Sequence, residues 1–149
     1  TVVMLDHLQD PHNFGAIIRT SYALGVDAII IPNDRSINIS SVVVKTSAGA
    51  IKNIPIIRVP SLISTVNKLK KDDFWIVGTS MNKDDYTKID YKRSICLIIG
   101  NEGKGMSTSL LKECDYVASI NMVGKIDSLN ASVSCGIILA KILEARSYE

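Results

Sequence analysis

Short apolar runs rich in β-branched residues recur along the chain and alternate with longer stretches of helical periodicity. The runs predict strands over residues 2–5, 27–31, 56–59, 75–78, 95–100 and 116–120. Most are almost wholly apolar, the pattern of strands covered on both faces. Apolar spacing and end signals predict helices over residues 13–24 (closed by Gly25), 40–48, 61–71, 107–113 and 128–146. Strand and helix in regular alternation imply an α/β fold, a mostly parallel sheet flanked by helices. No repeat, low-complexity tract or linker interrupts the pattern, so residues 1–149 read as a single domain. In the last predicted helix, Leu129, Val133, Ile137, Ala140 and Leu143 are joined by Cys135, Ile138 and Ile142. That apolar arc is too wide for one buried face and implies a partner subunit.

Composition narrows the class. With 149 residues, 46% hydrophobic and 21% charged, the chain matches a globular domain and can bury a full core without staples. The three cysteines, Cys96, Cys114 and Cys135, are widely spaced and form neither a redox pair nor a zinc pattern. They suit a reducing compartment, and a cytoplasmic location is expected. No apolar run is long enough to span a membrane. Thr1 opens directly on a strand pattern, which suggests a larger parent protein. A net charge of +2 decides nothing about nucleic acid, and aromatics at 5% argue against a stacking platform for RNA bases.

Ligands of open α/β sheets bind beyond the carboxyl ends of the strands, where three loops carry unusual chemistry. The first, Asp6 to Gly15, leads into a helix bearing Asn13, Arg19 and Thr20. Free amides at the helix start and a guanidinium could hold a phosphate; an N-cap at Asn13 and a solvated Arg19 explain the same residues. The second, Gly100-Asn101-Glu102-Gly103-Lys104-Gly105, surrounds one glutamate with three glycines and lacks the phosphate-loop spacing. Its glycines permit close approach of backbone to a flat ligand, or simply a tight turn. The third runs from Ile120 to Asn130, with Ser128 as the expected cap of the last helix and Asn130 at a cost inside its first turn. His7 and His12 lack metal-ligand spacing, no metal is expected, and no serine-nucleophile elbow is present. Nor is there a glycine fingerprint of a nicotinamide fold, so Asp34 after the second strand reads as loop chemistry.

Together D-P-H-N-F-G-A-I-I-R-T, L-I-I-G-N-E-G-K-G-M and I-N-M-V-G-K-I-D-S-L-N-A-S-V resemble the three ordered motifs of the SpoU (TrmH) branch of the SPOUT RNA methyltransferases. The stretches D-R-S and K-T-S-A-G-A-I-K-N-I-P-I-I-R-V further resemble the RlmB-like subgroup, which 2′-O-methylates a guanosine of 23S ribosomal RNA. The resemblance implies a C-terminal trefoil knot around S-adenosylmethionine, a homodimer packed through the first and last helices, and an RNA substrate. It implies cofactor contacts at Gly100, Ile120 and Leu129, with Thr79 and Met122 as wall residues. The polar catalytic set matches Asn13, Arg19, Glu102, Ser128 and Asn130. Arg19 would orient and stabilise the developing oxyanion rather than act as a base, since a guanidinium keeps its proton, and Glu102 could hold Arg19 or Asn13. Two departures, Asn121 for the motif proline and Ala131 for the usual valine, stand beside cofactor contacts. Members commonly carry an N-terminal RNA-binding domain that this chain does not contain. A transfer-RNA enzyme of the same branch and a non-catalytic RNA-binding knot domain are the alternatives.

Overall fold

The computed structural model describes residues 1–34 and 37–147. Arg35 and Ser36 of the D-R-S stretch lie outside the described residues. The strands are β1 (Val2–Leu5), β2 (Ala28–Pro32), β3 (Ile56–Val59), β4 (Trp75–Asp85), β5 (Ile95–Ile99) and β6 (Tyr116–Ser119). They form one sheet in the order β3-β2-β1-β5-β4-β6, every neighbouring pair parallel. The expected α/β class and all six expected strands are therefore present. The helices are α1 (Pro11–Ala23), α2 (Ser41–Thr46), α3 (Leu62–Lys71), α4 (Thr108–Leu111) and α5 (Ala131–Ser147).

Alternate strand residues point to opposite faces, and each face has its own core. Val3, Leu5, Ile29, Ile31, Leu97 and Ile99 pack under α1, α2 and α5, whose Phe14, Ile17, Val43, Cys135 and Ile138 close that layer. Met4, Ile30, Cys96 and Ile98 face the other way, against Leu62 and Val66 of α3 and Leu110 of α4. This three-layer arrangement explains the continuous apolar runs, because neither face of the central strands meets water.

Two helix starts differ from the expectation. Asp10, not Asn13, caps α1: its Oδ1 accepts from the backbone N–H of His12 at 2.8 Å and of Asn13 at 3.3 Å. Pro11 at the first position has no N–H to satisfy and starts the helix early. Asn130, not Ser128, caps α5, its Oδ1 accepting from the N–H of Ser132 at 2.9 Å and of Val133 at 3.3 Å. The helix thus begins at Ala131, and Asn130 incurs no propensity cost.

β4 continues well past residue 78. Its pairing with β6 jumps from Thr79↔Ala118 to Asp84↔Ala118, leaving the intervening residues bulged out. The exposed, polar extension carries no apolar signature that could have been read. In α5, Cys135, Ile138, Leu139 and Ile142 are buried, while Val133 and Leu143 remain 50% and 42% exposed. Tyr22 on neighbouring α1 is 49% exposed, so the wide apolar arc is only partly used within one chain. No helix among the described residues is long and apolar enough to cross a membrane.

Gly15 marks the closest helix contact: a Cβ there would stand 1.7 Å from Thr46 Oγ1. Gly15→Ala should lower stability by about 1–3 kcal/mol through overpacking, read from the urea midpoint. Burial raises the thiols of Cys96 and Cys135 to about 12 and that of Cys114 to about 11, from an ordinary 9.0. The folded chain then keeps protons that the unfolded chain releases, so stability should fall as pH rises from about 9 toward 11. Urea unfolding at pH 8 and near pH 10.5 checks the sign.

Candidate active site

β1 and β5 are sequence-distant neighbours at the centre of the sheet, where the strand order changes direction. Their outgoing loops meet and are bonded together. The Asp6 N–H donates to Ile99 O at 2.8 Å, and Asp6, 3% exposed, accepts from the Ser107 N–H at 2.6 Å. Asn101 organises the second loop: Oδ1 accepts from the N–H of Gly103 and Lys104 at 2.9 and 3.0 Å, while Nδ2 donates to His7 O at 2.9 Å. Paired backbone bonds between Asn101 and Gly105 close the turn. Gly100 allows that closure, since a Cβ there would sit 2.4 Å from Gly105 C and Met106 N; Gly105 takes a φ of 70°.

Beyond these loops lies a cavity of about 510 Å³, within the usual range of small-molecule sites. Thr79, Gly100, Glu102, Ile120, Met122, Ser128 and Leu129 all line it. The second and third loops singled out in the sequence thus meet at one hollow, the third arriving from β6 at the sheet edge, while the first loop supplies none of its lining and is bonded behind the second. Thr79 is fixed by its Oγ1 donating to Ile98 O at 2.9 Å. The remaining walls are apolar side chains such as Ile99 and Ile138, the thioethers of Met81, Met106 and Met122, and the charged groups Glu102, Asp127 and Lys104. Ala131 lines the cavity and Asn121 does not.

The other polar candidates are placed elsewhere. Asn13 is buried near the start of α1, whose first amides are occupied by the Asp10 carboxylate. Arg19 lies on the same helix roughly 12 Å along the axis from Pro11. It is exposed and forms no ion pair among the described residues. The expected anion site combining the helix start with Arg19 is therefore not formed within this chain. Asn130 is spent on capping. Glu102 holds neither Arg19 nor Asn13; both its oxygens accept from the Gln9 N–H, at 3.2 and 3.3 Å, clamping the loop after β1.

Sequence reasoning missed Asp6 and Asn101, which position the loops, and Met106, whose Sδ accepts from the Thr79 N–H at 3.2 Å. An aspartate at the end of an apolar strand was the one available signal for Asp6. Nothing local marked the other two.

Comparison with known proteins agrees with this geometry. A sequence profile of the SpoU rRNA methylase family matches residues 1–140. A Staphylococcus saprophyticus protein bearing the name of a TrmH family tRNA/rRNA methyltransferase is 44% identical over 149 residues, 99% of this chain and 60% of that protein. The chain thus spans about three fifths of the length of that relative. Among solved structures, the SpoU methyltransferase AviRb from Streptomyces viridochromogenes, in complex with AdoMet, superposes with a TM-score of 0.92 at 30% identity, covering 100% of this chain and 61% of AviRb. The TrmH/SpoU tRNA modifying enzyme of A. aeolicus gives a TM-score of 0.90 at 30% identity, over 99% of this chain and 75% of that one. The chain belongs to the SpoU rRNA methylase family.

Proposed function

We propose that this chain is the catalytic domain of an S-adenosylmethionine-dependent RNA ribose 2′-O-methyltransferase, acting on a guanosine of 23S ribosomal RNA as a cytoplasmic homodimer. The observation that carries the reading is the convergence of Thr79, Gly100, Ile120, Met122 and Leu129 on one cavity. The cavity suits the cofactor: aliphatic and thioether walls for adenine, backbone of a glycine turn for close approach, and the carboxylates of Glu102 and Asp127 for a cationic sulfonium and ammonium. When bound, S-adenosylmethionine supplies the methyl group. AviRb, a relative of the same fold, is known with AdoMet bound. The ribosomal target is supported by the D-R-S and K-T-S-A-G-A-I-K-N-I-P stretches, and a transfer-RNA target is the alternative that the A. aeolicus enzyme illustrates.

The protein's own part in the reaction is to position a ribose and manage charge. A 2′-hydroxyl receiving that methyl group would give up its proton to solvent as the methyl–sulfur bond breaks and a neutral thioether departs, and its oxygen carries negative charge to the extent that the proton leaves before the new O–C bond forms. Arg19 keeps its proton and is suited to stabilise this charge and an adjacent phosphate. It lies outside the cavity of its own chain. The half-exposed Tyr22, Val133 and Leu143 on α1 and α5 support a two-fold contact through these helices. In that dimer Arg19 serves the partner's cavity. Asn13 stands two turns before it on the same helix, and Ser128 at the cavity mouth supplies a hydroxyl to the ribose. Asn130 fixes the start of α5 and thereby Leu129 and Ser128. The C-terminal trefoil knot belongs to the same reading, supported by the path from edge strand β6 over the cavity to α5, which packs on α1. The parent protein would add an N-terminal RNA-binding domain.

Methyl transfer to ribosomal RNA, followed by nuclease digestion and mass spectrometry of the nucleosides, tests the activity. A 2′-O-methylguanosine product is expected; a base-methylated product, or methylation of transfer RNA alone, would overturn the assignment. Arg19→Ala should lower transfer by about a hundredfold or more and leave cofactor affinity within a few-fold. Gly100→Ala should lose cofactor binding, because the turn that forms the wall cannot close. Mixing the two variants should restore about a quarter of wild-type activity if sites are shared across the two-fold. No restoration would place Arg19 in its own chain's site.

A further inference from the structure

A second cavity, about 210 Å³, opens beyond the carboxyl ends of β1, β2 and β3, lined in part by Asp6 and His7 of the loop that braces the wall of the first. Its lining is mixed: Pro60, Leu62, Ile63 and Leu110 are the apolar members, of which Leu62 and Leu110 are almost fully buried in the core. Its rim carries His7, Asp34 and the hydroxyls of Ser61, Ser107 and Ser109. No lysine or arginine lines it among the described residues, and no group of three potential metal ligands was found among them. An isolated phosphate or a metal ion therefore has no built partner there among the described residues.

His7 is the unusual member. It has a φ of 59°, a left-handed conformation that most side chains avoid. Its Nδ1 lies 2.8 Å from Oδ1 of Asp6, whose side chain is 3% exposed and whose other oxygen is held by the Ser107 N–H. A carboxylate only accepts, so Nδ1 carries the proton, and in that tautomer Nε2 is the acceptor. The imidazole is thus oriented by a buried group, is about one third exposed, and has no other hydrogen-bond partner among the described residues. Asn101 and Glu102 line the larger cavity while bonding to His7 O and the Gln9 N–H. The loops after β1 and β5, bonded to each other, thus face one hollow each.

We propose that this second cavity receives one unstacked nucleobase, a guanine, of the RNA strand whose ribose is presented at the larger cavity, with His7 Nε2 accepting from the N–H edge of the base. The proposal rests on the RNA methyltransferase reading and names a recognition site for its substrate. A flat, uncharged ring with a polar edge matches a lining that mixes apolar side chains with hydroxyls and an oriented imidazole, and single-stranded RNA is read by housing splayed bases in this way. Guanine offers adjacent N–H donors on one edge, which suits a fixed imidazole acceptor.

Guanosine 5′-monophosphate and ribose 5-phosphate titrated separately into the intact chain, with the His7 ring protons followed by NMR, test the site. The nucleotide should shift the His7 resonances and the base-free sugar phosphate should not. His7→Asn provides the control: asparagine tolerates left-handed backbone, and its amide can donate to Asp6 in place of Nδ1. That variant should fold normally and bind the nucleotide about fivefold more weakly, with unchanged affinity for S-adenosylmethionine. Equal shifts from both compounds, no shift from the nucleotide, or undiminished binding by His7→Asn would overturn the proposal. Nucleotide binding by a chain that fails to bind S-adenosylmethionine would uphold the base site while counting against the methyltransferase reading.

Discussion

The carboxylate of Asp6, buried at the end of β1, joins two loops far apart in the sequence. One oxygen receives the Ser107 N–H, 101 residues away, and the other orients His7. Asn101 and Glu102 reinforce the joint from the opposite loop, on His7 O and the Gln9 N–H. A buried charge is tolerated only when its hydrogen bonds are made, so this joint either forms completely or destabilises both loops. Its position follows from topology: only because β5 inserts beside β1 do the two loops emerge side by side. Each of the two joined loops lines a different cavity at this end of the sheet, Asp6 and His7 the smaller and Asn101 and Glu102 the larger.

Much of this architecture was legible in the sequence because its strands are buried on both faces. Runs such as Ile95–Ile99 can be placed by hydrophobicity alone, and alternate residues then divide between two cores without ambiguity. What hydrophobicity does not encode was misread. Where several capping residues lie close together, as at Asp10 and Asn13 or Ser128 and Asn130, local geometry chooses between them, and it chose Asp10 and Asn130. The polar end of β4 is held by pairing with β6, so its own residues give no signal.

The site divides in the same way. Side chains and backbone recognised through motif loops, from Thr79 to Leu129, gather in one hollow. Those recognised on α1 do not, since a helix carries Arg19 away from the loop that precedes it. Glu102 turned out to be a clamp on the first loop rather than on Arg19. These differences have one physical source. A motif names residues that act together, whereas a single chain contains only the contacts that its own fold closes, and α1 and α5 still present Tyr22, Val133 and Leu143 to the outside.

The loop after β5, braced by the loop after β1, forms the cofactor cavity together with the end of β4 and the segment before α5. Calorimetric titration of S-adenosylmethionine into this chain tests it most directly, because it reads the cavity without an RNA substrate. The account predicts saturable binding with one site per chain. A folded chain that takes up no cofactor would contradict it.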